Sequence, residues 1–162
     1  MFVLAACGTA NPAQSSSSAS TSQEGSAQAG SDAAQEPETA LEETDMKLNV
    51  EVNGTTFTAT LENNAAVEAF MEMMREAPVV IEMRDYSGFE KVGSLGASLP
   101  TSNSQTTTQA GDIVLYNGNQ IVIFYGSNSW SYTRLGKIDD LTGWEEALGS
   151  GDVTVTFSSR SI

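Results

Sequence analysis

The residues best suited to chemistry gather in one stretch, where Tyr125, Trp130, Tyr132 and Arg134 fall within ten positions. An arginine set among aromatic side chains can stack on a ring, or present a planar fork of donors to a carbonyl or carboxylate. The plainer alternative is that Arg134 lies across the exterior of the fold and pairs with an acid. Glu82 and Arg84 form a second candidate pair, for which an exposed salt bridge of little consequence is the plain alternative. These six are the candidate ligand-binding residues, and Arg134 is the candidate catalytic group. Histidine is absent from the sequence, which removes the commonest general base, the usual zinc ligand and any Ser-His or Cys-His couple. There is no Gly-rich phosphate loop, no metal-ligand spacing and no nucleophile elbow, so neither a cofactor nor a metal is expected. Asp139 and Asp140 with Asp112 could hold a hard cation, but adjacent aspartates ahead of a helix more simply mark a turn and a favourable charge at the helix start.

The elements that must position these groups are mostly strands. Asp112–Tyr116 and Gln120–Tyr125 are β-branched and aromatic runs separated by Asn117-Gly118, a pair that accepts the positive φ angles of a tight hairpin turn. Met46–Val52 and Thr55–Leu61 alternate apolar and polar residues around Asn53-Gly54, which predicts a second hairpin of the same kind. Asn63 or Asn64 is placed to cap a helix running to about Ala77, with Val67, Phe70, Met71 and Met74 on its core face and Pro78 stopping it. Val79, Ile81 and Met83 define a third strand, with Glu82 and Arg84 on its other face. Asp85–Pro100 is irregular enough for a bulged strand. TSNSQTTTQA, residues 101–110, reads as a polar loop that could rim a site. Thr142–Glu145 has the form of a capping box ahead of a short helix ending at Gly149, and Val153, Val155 and Phe157 make the last strand. That count, about eight strands and two short helices, favours a β-barrel or sandwich.

GDIVLY at 111–116, IVIFY at 121–125, SWSYTRLGKIDD at 129–140 and ALGSGDVTVTF at 147–157 occur in an order and spacing that resemble the bacterial cyclophilin-like domain family of small proteins. The resemblance spans about Met46 to Phe157. It implies a mainly β fold, a closed cyclophilin-like barrel with two short helices, and carries no established activity with it. Cyclophilins proper resemble one another in a Phe-His-Arg segment and a Met/Gln/Phe-lined groove that have no match in this sequence. The reading therefore favours a module that binds a small molecule or peptide. Peptidyl-prolyl isomerisation is the enzymatic alternative: it needs no acid–base or covalent group, only a donor beside an apolar groove to stabilise the twisted amide.

Composition divides the chain near Asp45. Residues 1–45 hold seven of the 21 acids and none of the seven bases, whereas residues 46–162 carry the other 14 acids and all the bases. A folded domain over 46–162 is long enough for one core without disulfides. A formal charge of −14 argues against nucleic acid as a partner, because phosphate neutralisation needs clustered Lys and Arg. Residues 8–45, rich in Ser, Ala, Gln and Glu, read as a disordered tether. At the start, Leu4-Ala5-Ala6-Cys7 resembles a bacterial lipobox, which implies lipidation at Cys7 and an extracytoplasmic protein held at the membrane by that lipid alone. Only Met1, Phe2 and Val3 precede the box, so this reading expects the basic and apolar parts of a signal peptide upstream of residue 1.

Overall fold

The computed structural model describes residues 46–160; Cys7 and the expected tether lie outside them. The elements are β1 (Lys47–Val52), β2 (Thr55–Leu61), α1 (Ala65–Glu76), β3 (Val79–Tyr86), β4 (Glu90–Ser94), β5 (Ser104–Thr107), β6 (Asp112–Tyr116), β7 (Gln120–Phe124), β8 (Ser129–Ile138), α2 (Trp144–Leu148) and β9 (Val153–Ser159). Eight strands pair antiparallel in the order β2-β1-β9-β3-β4-β7-β6-β8, and β8 returns to β2 through Ala59↔Ile138, Thr60↔Lys137 and Leu61↔Gly136. The barrel is thereby closed, with the ninth strand, β5, added outside the ring on β8. At the seam Gly136 is needed for close approach: a Cβ there would stand 2.5 Å from the Thr60 carbonyl oxygen.

Both Asn-Gly turns form as the sequence predicts, with positive φ at Asn53, Gly54, Asn117 and Gly118. A third turn of the same kind, Ser87-Gly88, has φ of 52° and 76° and joins β3 to β4. What reads as an irregular stretch after Asp85 is thus a regular hairpin, Arg84↔Val92 to Tyr86↔Glu90. The polar loop also needs correction. Residues 104–107 are a strand, and Thr106, opposite Trp130 on β8, is buried. Its β-branched threonines suit a pleated surface beside an aromatic-rich strand better than a spacer.

The interior is filled by Leu48, Val50, Val52, Ile81, Met83, Ile113, Leu115, Ile121, Ile123, Leu135, Val155 and Phe157. Helix α1 contributes Val67, Phe70 and Met74, with Phe70 edge-on to Phe157 at 5.5 Å. Its N-cap is Asn64, whose Oδ1 accepts the Val67 N–H at 2.9 Å. Helix α2 brings Trp144 against Phe57 at 4.9 Å, and the indole N–H donates to the Phe124 carbonyl. The expected capping box at α2 does not form. Gly143 is the N-cap and makes no side-chain cap bond, and the Thr142 N–H is taken instead by Asp140 Oδ1 at 2.9 Å. The aspartate turn closes before threonine reaches a capping position.

Candidate functional site

Strand alternation sends successive side chains of a barrel strand inward and outward. On β6 and β7, past Asp112 and Gln120 at their starts, both sets are apolar or aromatic. Ile113, Leu115, Ile121 and Ile123 fill the interior, while Val114, Val122 and Phe124 join Tyr132 in a second, outer cluster flanked by Phe89, Val92 and Tyr116. In the β4–β7 register Glu90 lies opposite Phe124 and Val92 opposite Val122. Glu90 is therefore on this outer apolar wall. Its neighbour Lys91 points the other way, into the barrel.

The outer wall is hollowed into a groove of about 400 Å³ lined by Tyr86, Glu90, Val92, Tyr116, Gln120, Val122, Asn128, Trp130 and Tyr132. Tyr86 and Trp130 are 58% and 56% exposed, unusual for rings of that size. Tyr132 is buried, edge-on to Phe124 at 5.7 Å and to Tyr116 at 6.1 Å. Its hydroxyl accepts from Asn128 Nδ2 at 2.8 Å. Glu90 is only 6% exposed, and its Oε2 has no hydrogen-bond partner among the described residues. Burial among apolar and aromatic groups pushes the carboxyl up to about 7. The Tyr132 phenol is raised too, first by its own burial and then by the Glu90 charge. An acid with one buried, unbonded oxygen on a wall shared with four aromatic rings is prepared to donate a hydrogen bond when protonated, or to receive a positive charge when ionised.

The six sequence candidates are divided among four places. Trp130 and Tyr132 line the groove. Glu82 and Arg84 line a neighbouring cleft of about 820 Å³ with Asn53, Asp85, Asp152 and Thr154, which shares Tyr86, Val92 and Gln120 with the groove. Tyr125 is elsewhere. It donates to Asp85, beside the fully buried Lys91, whose ammonium bonds Asp85 at 3.0 Å and the Gly149 and Gly151 carbonyls at 2.8 and 2.6 Å. The Tyr125 hydroxyl is pushed up to about 12, by burial and then by the Asp85 carboxylate. The Tyr125 hydrogen bond, followed by Lys91, holds Asp85 below the ordinary carboxylate range. That arrangement pins the chain after α2 to the barrel end.

Arg134 is not among the groove residues. Its guanidinium lies 3.4 Å from Asp112 Oδ1 and 3.7 Å from Glu62 Oε1, so it faces two acids on the barrel exterior. Asp112 Oδ1, almost fully buried, has this ion-pair contact but, among the described residues, no bond of hydrogen-bond geometry, while Oδ2 accepts the Gln109 N–H. The aspartates weighed as a cation site are committed separately: Asp139 to Lys47 and Thr60, Asp140 to the Thr142 amide.

Sequence reasoning missed Glu90, Tyr86, Tyr116 and Asn128. A usable signal exists in the unbroken apolar runs of β6 and β7, which mean that both faces of those strands are covered. A strand pairing beside them, such as Phe89-Glu90-Lys91-Val92, must then bury charges on both of its faces.

A family model for the cyclophilin-like family matches residues 50–158. No curated protein matches the chain.

Proposed function

Because the chain belongs to the cyclophilin-like family, whose fold alone specifies no activity, we propose that it is a binding module holding a small molecule or peptide in the outer-wall groove. The observation that carries this reading is the combination, on one concave surface, of two exposed rings, Tyr86 and Trp130, with the buried Glu90, whose Oε2 has no partner among the described residues. Convergent polar groups in an aromatic hollow are the usual make-up of a ligand site. The test is a screen of uncharged, cationic and anionic fragments by Trp130 fluorescence, with Trp130→Phe as the blank. Saturable responses that disappear in Tyr86→Ala support the reading, and a groove silent to every class overturns it.

Prolyl isomerisation receives less support, since no arginine lines the groove among the described residues and Arg134 faces Asp112 and Glu62. We further propose that the module is held outside the cytoplasm by a lipid on Cys7, on the basis of Leu4-Ala5-Ala6-Cys7 followed by a polar, low-complexity segment. Expression of the full reading frame in a bacterium tests this: the parent should fractionate with membranes and Cys7→Ser should not. Equal partitioning of the two proteins contradicts it.

A further inference from the structure

Resting on that binding reading, we infer that the groove selects an organic cation, an ammonium or guanidinium group of the ligand, with Glu90 as its counter-charge and the rings of Tyr86, Tyr116, Trp130 and Tyr132 as its walls. Among the described residues the lining contains one carboxylic acid and no base. Lys91, the nearest lysine in sequence, is turned to the opposite face, where Asp85 and two carbonyls occupy its ammonium. Nor does the Tyr132 hydroxyl satisfy Glu90: it accepts from Asn128, and no hydrogen bond reaches Glu90 Oε2 among the described residues. Removing a carboxylate from water without a partner is unfavourable, and a bound cation relieves that cost directly. Aromatic faces carry negative quadrupole charge, so the same rings that desolvate Glu90 attract a cation. The net charge of −14 adds a long-range field of the right sign.

The other titratable groups facing Glu90 are the phenols of Tyr86 from β3, Tyr116 from β6 and Tyr132 from β8; β7 contributes Gln120 and Val122, and the segment before β8 contributes Asn128. With the carboxyl near 7, a cation and a neutral hydrogen-bond acceptor leave opposite signatures. A cation binds the ionised acid, so its affinity rises with pH through about 7 and levels off above. A neutral acceptor needs the protonated acid and weakens over the same range.

The experiment uses choline and its uncharged isostere 3,3-dimethylbutan-1-ol, titrated into the parent and Glu90→Gln while Trp130 fluorescence is followed. Expected are saturable choline binding at least about tenfold tighter than the isostere, affinity that rises with pH, and loss of that preference in Glu90→Gln. The variant carries a neutral side chain of the same shape where the charge is buried, and urea unfolding of it confirms that lost binding is not lost folding. Equal affinity for the two probes, a preference that survives in Glu90→Gln, or an affinity that falls with pH overturns the inference. Silence of choline up to millimolar concentration overturns it as well. In that case uncharged fragments that still register at Trp130 leave the binding reading standing, and universal silence removes both.

Discussion

Replacing Glu90 with glutamine keeps the shape of the side chain and abolishes its ionisation, so parent and variant should diverge in stability as pH rises. Burial holds the native carboxyl near 7, against an ordinary value of 4.5. Between those values the unfolded chain has released this proton and the native state still binds it. Native protein therefore binds more protons, and stability falls with rising pH across that window. Below 4.5 both states hold the proton and above about 7 both have lost it, so the contribution is flat on either side. At roughly 1.4 kcal/mol for each pH unit, the accumulated penalty is about 3 kcal/mol. With Glu90 only 6% exposed, solvent screening removes little of it. Glutamine carries no such penalty. Urea unfolding of both proteins across the window should show Glu90→Gln gaining about 3 kcal/mol on the parent by pH 7, with no further gain above. Because the other carboxylates are common to both chains, the difference isolates this one. Two stability curves that stay parallel would refute the assignment of Glu90 as a buried acid raised by desolvation.

Ile123→Ala, which opens a cavity in the barrel interior, should lose about 2–5 kcal/mol in urea unfolding, and a variant as stable as the parent would overturn the facing of β7. Gly136→Ala forces a methyl group to within 2.5 Å of the Thr60 carbonyl oxygen; it should lose about 1–3 kcal/mol and increase amide exchange along the β2–β8 seam, whereas unchanged exchange there would contradict the closure. In a coupled assay with a proline tetrapeptide the domain should show weak or no acceleration. Arg134→Ala should lower stability, because it leaves Asp112 without its cation, yet leave fragment binding at Trp130 unchanged; strong, saturable isomerase activity lost in that variant would restore Arg134 as a catalytic group.

Much of the barrel is legible because its signals are local. Asn53-Gly54 and Asn117-Gly118 specify turns by the φ angles that their own residues tolerate, and Asn64 and Pro78 bracket α1 without reference to anything distant. The Ser87-Gly88 turn is less visible, since serine at positive φ is a weaker preference than asparagine. β5 is hidden further still: a Ser/Thr/Gln strand has no apolar alternation of its own and exists by pairing with β8. The site is the least legible part, for the same reason. Glu90 and Lys91 are adjacent opposite charges, the pattern of a solvated turn, and only the packing of β4 against β7 buries both on opposite faces. Arg134 looks chemically active in sequence because it neighbours Tyr132 and Trp130; Asp112 and Glu62, which it meets across the fold, are 22 and 72 positions away in the chain.

The central claim is that the outer wall over Glu90 is where ligand sits. Two-dimensional amide NMR of the uniformly ¹⁵N-labelled protein, titrated with any fragment that alters Trp130 fluorescence, tests it most directly. The account predicts that the amides of Glu90, Val122, Asn128, Trp130 and Tyr132 shift in proportion to occupancy while those of Leu48, Phe70 and Val155 in the interior stay fixed. Shifts gathered instead at Glu82, Arg84 and Thr154, with the Glu90 and Tyr132 amides unmoved, would place the site in the neighbouring cleft and contradict it.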